Sequence, residues 1–286
     1  MKFQQTNLKN ILEVRNKKIY IYFFSFIFLF ILLYFSTFKN LIYSWSTNED
    51  YSHGFLILPI AMYLAWRKKN ELLNTPVQSS ILGLFVILLW AFLYFVGVVG
   101  YISTFVSISM IIFLLGTSLF LFGFRVTKIV LFPICFLAFM IPIPSEIYTY
   151  VTTPLKLMVT TTTTHILTFF HIPVFQEGNL IKLPNYSMKV IDACSGLRSL
   201  VSVVAFASLM GHLTINSYTK KLVLFLLSFP VSFIGNIFRI TTTVLLATYV
   251  SVKAAEGFSH TLAGITTFIL CILILFFITI LLKNNE

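Results

Sequence analysis

The chain has 286 residues, of which 58% are hydrophobic and only 10% charged. Soluble domains carry about 25% charged residues, so the composition excludes a soluble globular protein and points to one embedded in a membrane. The net charge of +11 does not signal nucleic acid, because the basic residues lie in short segments between apolar runs and no binding motif accompanies them.

The apolar runs are long and continuous, which predicts an all-α, polytopic bundle of about eight transmembrane helices and not an alternating β-barrel. The N-terminal tail holds Lys2, Lys9, Arg15, Lys17 and Lys18 against Glu13, which places it in the cytoplasm. The first span, near 19–38, is too long for a cleavable signal peptide and no small-residue cleavage site follows it. Glu49 and Asp50 mark an outer loop. A second span runs from His53 to Trp66, and Arg67, Lys68 and Lys69 then give the clearest inner signal.

Spans three and four cover 81–98 and the stretch after Gly100 to Phe122. Arg125 and Lys128 mark an inner loop, and span five covers 129–141. Residues 146–170 are moderately apolar but contain Lys156, His165 and the threonines 160–164, so they are expected to lie in the outer interface and not to cross. Residues 174–190 read as a small extracytoplasmic hairpin, punctuated by Gln176-Glu177-Gly178-Asn179. Span six covers 194–211 and span seven 222–239. A second interfacial stretch, 241–257, precedes span eight, 260–282. Lys220 with Lys221, and Lys283, close the inner side, which leaves both termini cytoplasmic.

This topology brings Cys194, Arg239 and His260 to one face of the membrane, each at a span end. Cys194 opens a helix within Asp192-Ala193-Cys194-Ser195-Gly196-Leu197-Arg198-Ser199, and a helix N-terminus lowers a thiol pKa. Ser195 and its neighbours supply hydrogen bonds; a buried structural cysteine fits the local sequence equally well. Arg239 ends an apolar span, where a guanidinium either anchors the interface or stabilises a thiolate or oxyanion. Asn236 lies one turn earlier on the same face and adds a donor or a helix–helix hydrogen bond. An unperturbed histidine has a pKa near neutrality, so His260 suits general acid–base work, and His53 on the same side is a rival base.

Cys135 and Cys271 lie inside apolar runs and read as buried hydrophobes. The absence of CxxC and HExxH spacings points away from a metal, and no cofactor is expected. A non-enzymatic transporter or scaffold of exopolysaccharide assembly is the competing class. It expects ionisable residues at mid-membrane depth, whereas the span interiors here are nearly free of charge.

The segments Ala193–Ser199, Asn236–Arg239 and His260 opening the last span resemble the exosortase/archaeosortase family. Ser52–Pro59 followed by Trp66–Lys69, and Glu177-Gly178-Asn179 before the cysteine, extend the resemblance from about Tyr51 to the C-terminus. It implies a single transmembrane domain over 1–286, in the bacterial inner membrane, without the additional C-terminal domain some members carry. It also implies a membrane cysteine transpeptidase, with Cys194 as nucleophile, Arg239 as stabiliser and His260 as acid/base. His53, Asn236, Ser195 and Arg198 take supporting or substrate-binding positions. The implied partners are exported proteins with a C-terminal tripartite signal: a short motif such as Pro-Glu-Pro, a transmembrane helix and a basic tail. The family often accompanies exopolysaccharide genes in Gram-negative bacteria.

Overall fold

A computed structural model of the chain describes residues 25–184, 186–190, 197–251 and 258–284. The first half comprises α1 (Ser25–Leu33), α2 (Phe35–Thr47), α3 (Gly54–Arg67), α4 (Lys69–Asn74), α5 (Leu82–Val99) and α6 (Ser103–Phe136). The second half comprises α7 (Ser145–Phe169), strands β1 (Phe175–Glu177), β2 (Leu180–Leu183) and β3 (Tyr186–Lys189), and then α8 (Leu197–Thr214), α9 (Tyr218–Tyr249) and α10 (Phe258–Asn284).

Among the described residues, four helices are long and apolar enough to cross a membrane: α5, α6 with a 3₁₀ extension to Met140, α9, and α10 from Leu262. The pair α1–α2, bent by 65°, makes a fifth if counted as one span. The architecture is therefore an all-α membrane protein, but with fewer full-length spans than the eight the sequence predicts. The differences have physical causes. Helix α3 has 14 residues, about 21 Å, which is short of a hydrocarbon core of about 30 Å. The apolar part of α8 is Leu200–Thr214, also short. Spans four and five, by contrast, remain two helices within α6 that part at Gly123, whose φ of 79° is non-helical. A side chain at Gly123 would overlap the carbonyl oxygen of Gln78, and the Gln78 amide donates to Phe122 O at 3.3 Å. The break is thus filled by the loop before α5.

Two further corrections concern the second interfacial stretch and a cysteine. Residues 241–249 are not a separate segment, because α9 runs without interruption to Tyr249. Residues 145–169 form one continuous helix, long enough to span but too polar to rank with the four. Cys271 is buried as expected, whereas Cys135 is exposed on the outer face of α6, where a small apolar group costs nothing against lipid.

Lipid is as apolar as a leucine side chain, so helices here associate through close approach and hydrogen bonds. Gly83 of α5 meets the backbone of α6 at Phe120, and Gly116 of α6 meets Ile87 of α5, so each supplies the missing volume that lets the pair pack tightly. The loop Glu49–His53 is stitched to the chain around α7. Trp45 Nε1 donates to Met140 O at 2.9 Å, and Tyr148 OH donates to Asp50 Oδ2 at 2.9 Å. Helix α8 joins the halves: Ala205 enters the core of α2, α3 and α6, while Val203 and Ala207 enter that of α9 and α10.

Candidate active site

The site is built on α9. Ser228, Ser232, Asn236, Arg239 and Thr243 recur every three or four residues and so share one face of this apolar helix. All but Arg239 are buried, and Arg239 is half-buried. Helix α10 packs beside this face through small residues. A Cβ on Gly235 would collide with Cys271 Sγ, and Cys271 in turn donates a weak hydrogen bond to Val231 O at 3.6 Å.

Arg239 crosses to α10 at Gly264. Its Cζ and Nη2 lie 3.4 Å and 3.5 Å from where a Gly264 Cβ would stand, so the flat guanidinium rests on bare backbone. His260 is four residues earlier, one turn from Gly264, in the first turn of α10. The helix pair therefore sets Arg239 beside the turn that carries His260.

The height of this contact follows from the other end of the pair. Lys220 Nζ donates to Leu282 O at 3.0 Å, which aligns the lower ends of α9 and α10. From there Arg239 is about 28 Å along α9, and Gly264 about 27 Å along α10. Two helices thus agree that the contact stands one hydrocarbon thickness from the lysine end. Because α9 is 32 residues long, it continues about 15 Å beyond Arg239. The expectation that a span ends at Arg239 is replaced by a helix that passes through that level.

The projecting part of α9 carries the small sheet. Strands β1, β2 and β3 form an antiparallel meander, pairing Gln176 with Ile181 and Ile181 with Met188. The Gly178 φ of 60° makes the first turn, as the Gly-Asn pair predicts. Ile181, Met188 and Val190 pack with Val159 and Leu167 of α7 and with Ile240 and Val244 of α9. Val190 is held twice at Asn179: its amide donates to Asn179 O at 2.8 Å, and Asn179 Nδ2 donates to Val190 O at 3.1 Å. Lys182 pairs with Glu177, and that ion pair lowers the Glu177 carboxyl from its usual range.

Of the residues singled out from the sequence, Cys194 and Ser195 lie outside the described residues. Arg198 stands in the first turn of α8, and only its backbone and that of His260 are described. His53 is tied to the first half of the chain. It precedes α3, and its Nε2 donates to Phe139 O at 2.9 Å, which ties α3 to the 3₁₀ turn at Leu137–Met140. Asn236 is buried at the edge of a groove of about 350 Å³ between α7, α8 and α9.

Sequence reading missed that groove, Ser232 within it, and Gly264. Helical spacing carries a signal for two of them: Ser232 stands four residues before Asn236, and Gly264 four after His260.

Helices long and apolar enough to cross a bilayer define an integral membrane protein, and the Arg239–Gly264 contact is its candidate site. The family model described as Transmembrane exosortase matches residues 45–277, most of the chain, and the protein belongs to that family. Membership suggests a membrane transpeptidase, and the family is generally one of cysteine transpeptidases. No curated protein and no solved structure matches the chain.

Proposed function

We propose that this protein cleaves C-terminal sorting signals of exported proteins at the outer face of the bacterial inner membrane, through a thioester on Cys194. The observation that carries the reading is Arg239 lying on Gly264, one turn from His260, on the helix whose next residue, Ile240, anchors the strand leading to Cys194. Val190, four residues before Cys194 in the sequence, is fixed in that cluster. Arg239, Gly264 and the end of the strand at Val190 thus lie around one stretch of α9, which supports the reading. With Lys220 and Lys221 cytoplasmic, that stretch is at the outer surface.

The mechanism follows from these positions. The substrate's transmembrane helix inserts beside the enzyme with its basic tail inside, which brings its short motif to the height of Arg239. The Cys194 thiolate attacks the scissile carbonyl. The Arg239 guanidinium, always charged and partly withdrawn from water, stabilises the resulting oxyanion. His260 protonates the leaving amine as the C–N bond breaks, which releases the helix and leaves the exported part as a thioester. Water or an amine then attacks the thioester carbonyl. His260 takes its proton, and Cys194 departs as the thiolate.

The test is intact mass spectrometry of the enzyme co-expressed with a protein carrying the tripartite signal. The wild type should carry a substrate adduct that Cys194→Ala lacks, and processing should fall by about 10³-fold or more in the variant. Equal processing in both would make Cys194 structural and return the protein to the transporter or scaffold class.

A further inference from the structure

The groove beside α9 has walls of one kind and an edge of another. Leu155 and Val159 of α7, Leu200 of α8 and Phe233 of α9 make it apolar, and Ser232 and Asn236 supply its polar groups. Both are 2% exposed, and the Ser232 hydroxyl has no hydrogen-bond partner among the described residues. A hydroxyl buried in an apolar groove at membrane depth is costly unless something arrives to pair with it.

Three occupants are compatible with an apolar groove in a bilayer, and Ser232 separates them. A lipid acyl chain has nothing to offer a hydroxyl. A transmembrane helix satisfies its own backbone internally and presents only side chains. An extended polypeptide brings unpaired amides and carbonyls, which need partners of the kind Ser232 provides, while its side chains fill apolar walls. Position agrees. Phe229 to Asn236 lie about 13 Å to 24 Å above Lys220 along α9, on the membrane side of Arg239. Substrate residues that follow the cleaved bond enter the bilayer at that depth.

We propose that the groove between α7, α8 and α9 holds an unwound, extended stretch of the substrate immediately on the membrane side of the scissile bond, with Ser232 pairing with its backbone. This rests on the proposed cleavage of a membrane-anchored signal. It makes Ser232 a substrate-binding residue, and it makes the groove walls the source of preference for residues that follow the cut.

The test uses the full chain and a reporter with a Pro-Glu-Pro motif, a transmembrane helix and a basic tail. A photo-crosslinking benzophenone residue is placed at successive reporter positions after the motif, with the enzyme as Cys194→Ala so that substrate stays bound. Adducts should form at consecutive positions, with alternate positions reaching α7 and α8, the period-two pattern of extended chain. Adducts every third or fourth position would replace the strand with a helix. No adducts, with the reporter still cut by the wild type, would leave the groove to lipid.

Two variants sharpen this. Ser232→Ala should slow reporter cleavage about tenfold while Ser232→Thr restores it, the effect of one hydrogen bond to a buried group. Leu155→Trp should fill the groove and block cleavage, yet leave Cys194 open to a water-soluble maleimide. Unchanged cleavage in Leu155→Trp would overturn the proposal. If the wild type never cuts the reporter, the substrate reading itself fails, and the groove proposal falls with it.

Discussion

The two halves of the chain differ in how completely their buried hydroxyls are matched among the described residues. In the first half, Tyr34 sits at the bend between α1 and α2 with its ring fully buried, and its hydroxyl is fully engaged. It lies 2.9 Å from Ser109 Oγ and accepts from Trp90 Nε1 at 2.7 Å, while Ser109 donates to Val106 O at 2.7 Å. The rings of Phe30, Tyr94, Trp90 and Phe113 close around this network. In the second half, Thr163, Ser232, Thr241 and Thr267 each bury a hydroxyl that has no partner among the described residues. Among those residues the first half has no such hydroxyl. A satisfied network in lipid is structural glue. The hydroxyls without a partner among the described residues lie along α7, α9 and α10, the helices that carry the candidate site.

The contrast breaks most sharply at Arg239. Arg239→Lys keeps the charge but loses the flat fork resting on Gly264, and cleavage of a tripartite-signal reporter should fall by about 10²-fold with the protein still inserted. A loss under threefold would make Arg239 an interface anchor. Gly235→Ala comes next. Its new methyl meets Cys271 Sγ, and overpacking should cost about 2 kcal/mol, read as a lower thermal midpoint in detergent. Cys271→Ala in the same chain should restore much of the loss, because it removes the atom that clashes.

Tyr34→Phe probes the satisfied half. It strands the Trp90 donor and should cost about 1 kcal/mol, with cleavage per folded molecule unchanged. A drop in the cleavage rate itself would show that the halves are coupled. The smallest effect belongs to the exposed Glu177–Lys182 pair. The ion pair depresses the folded-state carboxyl pKa, so its contribution is present above the unfolded pKa and fades as pH falls through the folded one. Wild type and Glu177→Gln should therefore differ by a small, constant amount at neutral pH and converge only below the usual carboxylate range. The difference should also shrink in high salt.

Much of the second half is legible in residues alone. Gln176-Glu177-Gly178-Asn179 marks the turn between β1 and β2, and α8 and α10 cover the described parts of the spans expected at 194–211 and 260–282. The first half is less legible. Arg125 and Lys128 read as an inner loop, yet the chain there is helical on both sides of Gly123, because a single glycine with positive φ redirects a helix without a loop. Arg239 shows the same limit from the other side. Charge marks where a helix meets the interface, but it does not oblige the helix to stop. The hydrogen bond from Thr243 Oγ1 to Arg239 O at 2.9 Å belongs to a turn the sequence reading assigns to another segment.

What the sequence by itself determines is local and chemical: a helical membrane protein, the small sheet, and a thiol, a guanidinium and an imidazole as candidate site residues. Hydropathy and charge bias suffice for that, because each span's transfer into lipid depends on its own residues. What only the tertiary structure decides is where helices touch. That Arg239 lies on Gly264, that Gly235 admits Cys271, and that α7, α8 and α9 leave a groove with an unmatched hydroxyl all depend on how α9 registers against its neighbours. Between helices in lipid, register is set by where small residues on both partners coincide, a property of pairs of helices that neither sequence carries alone.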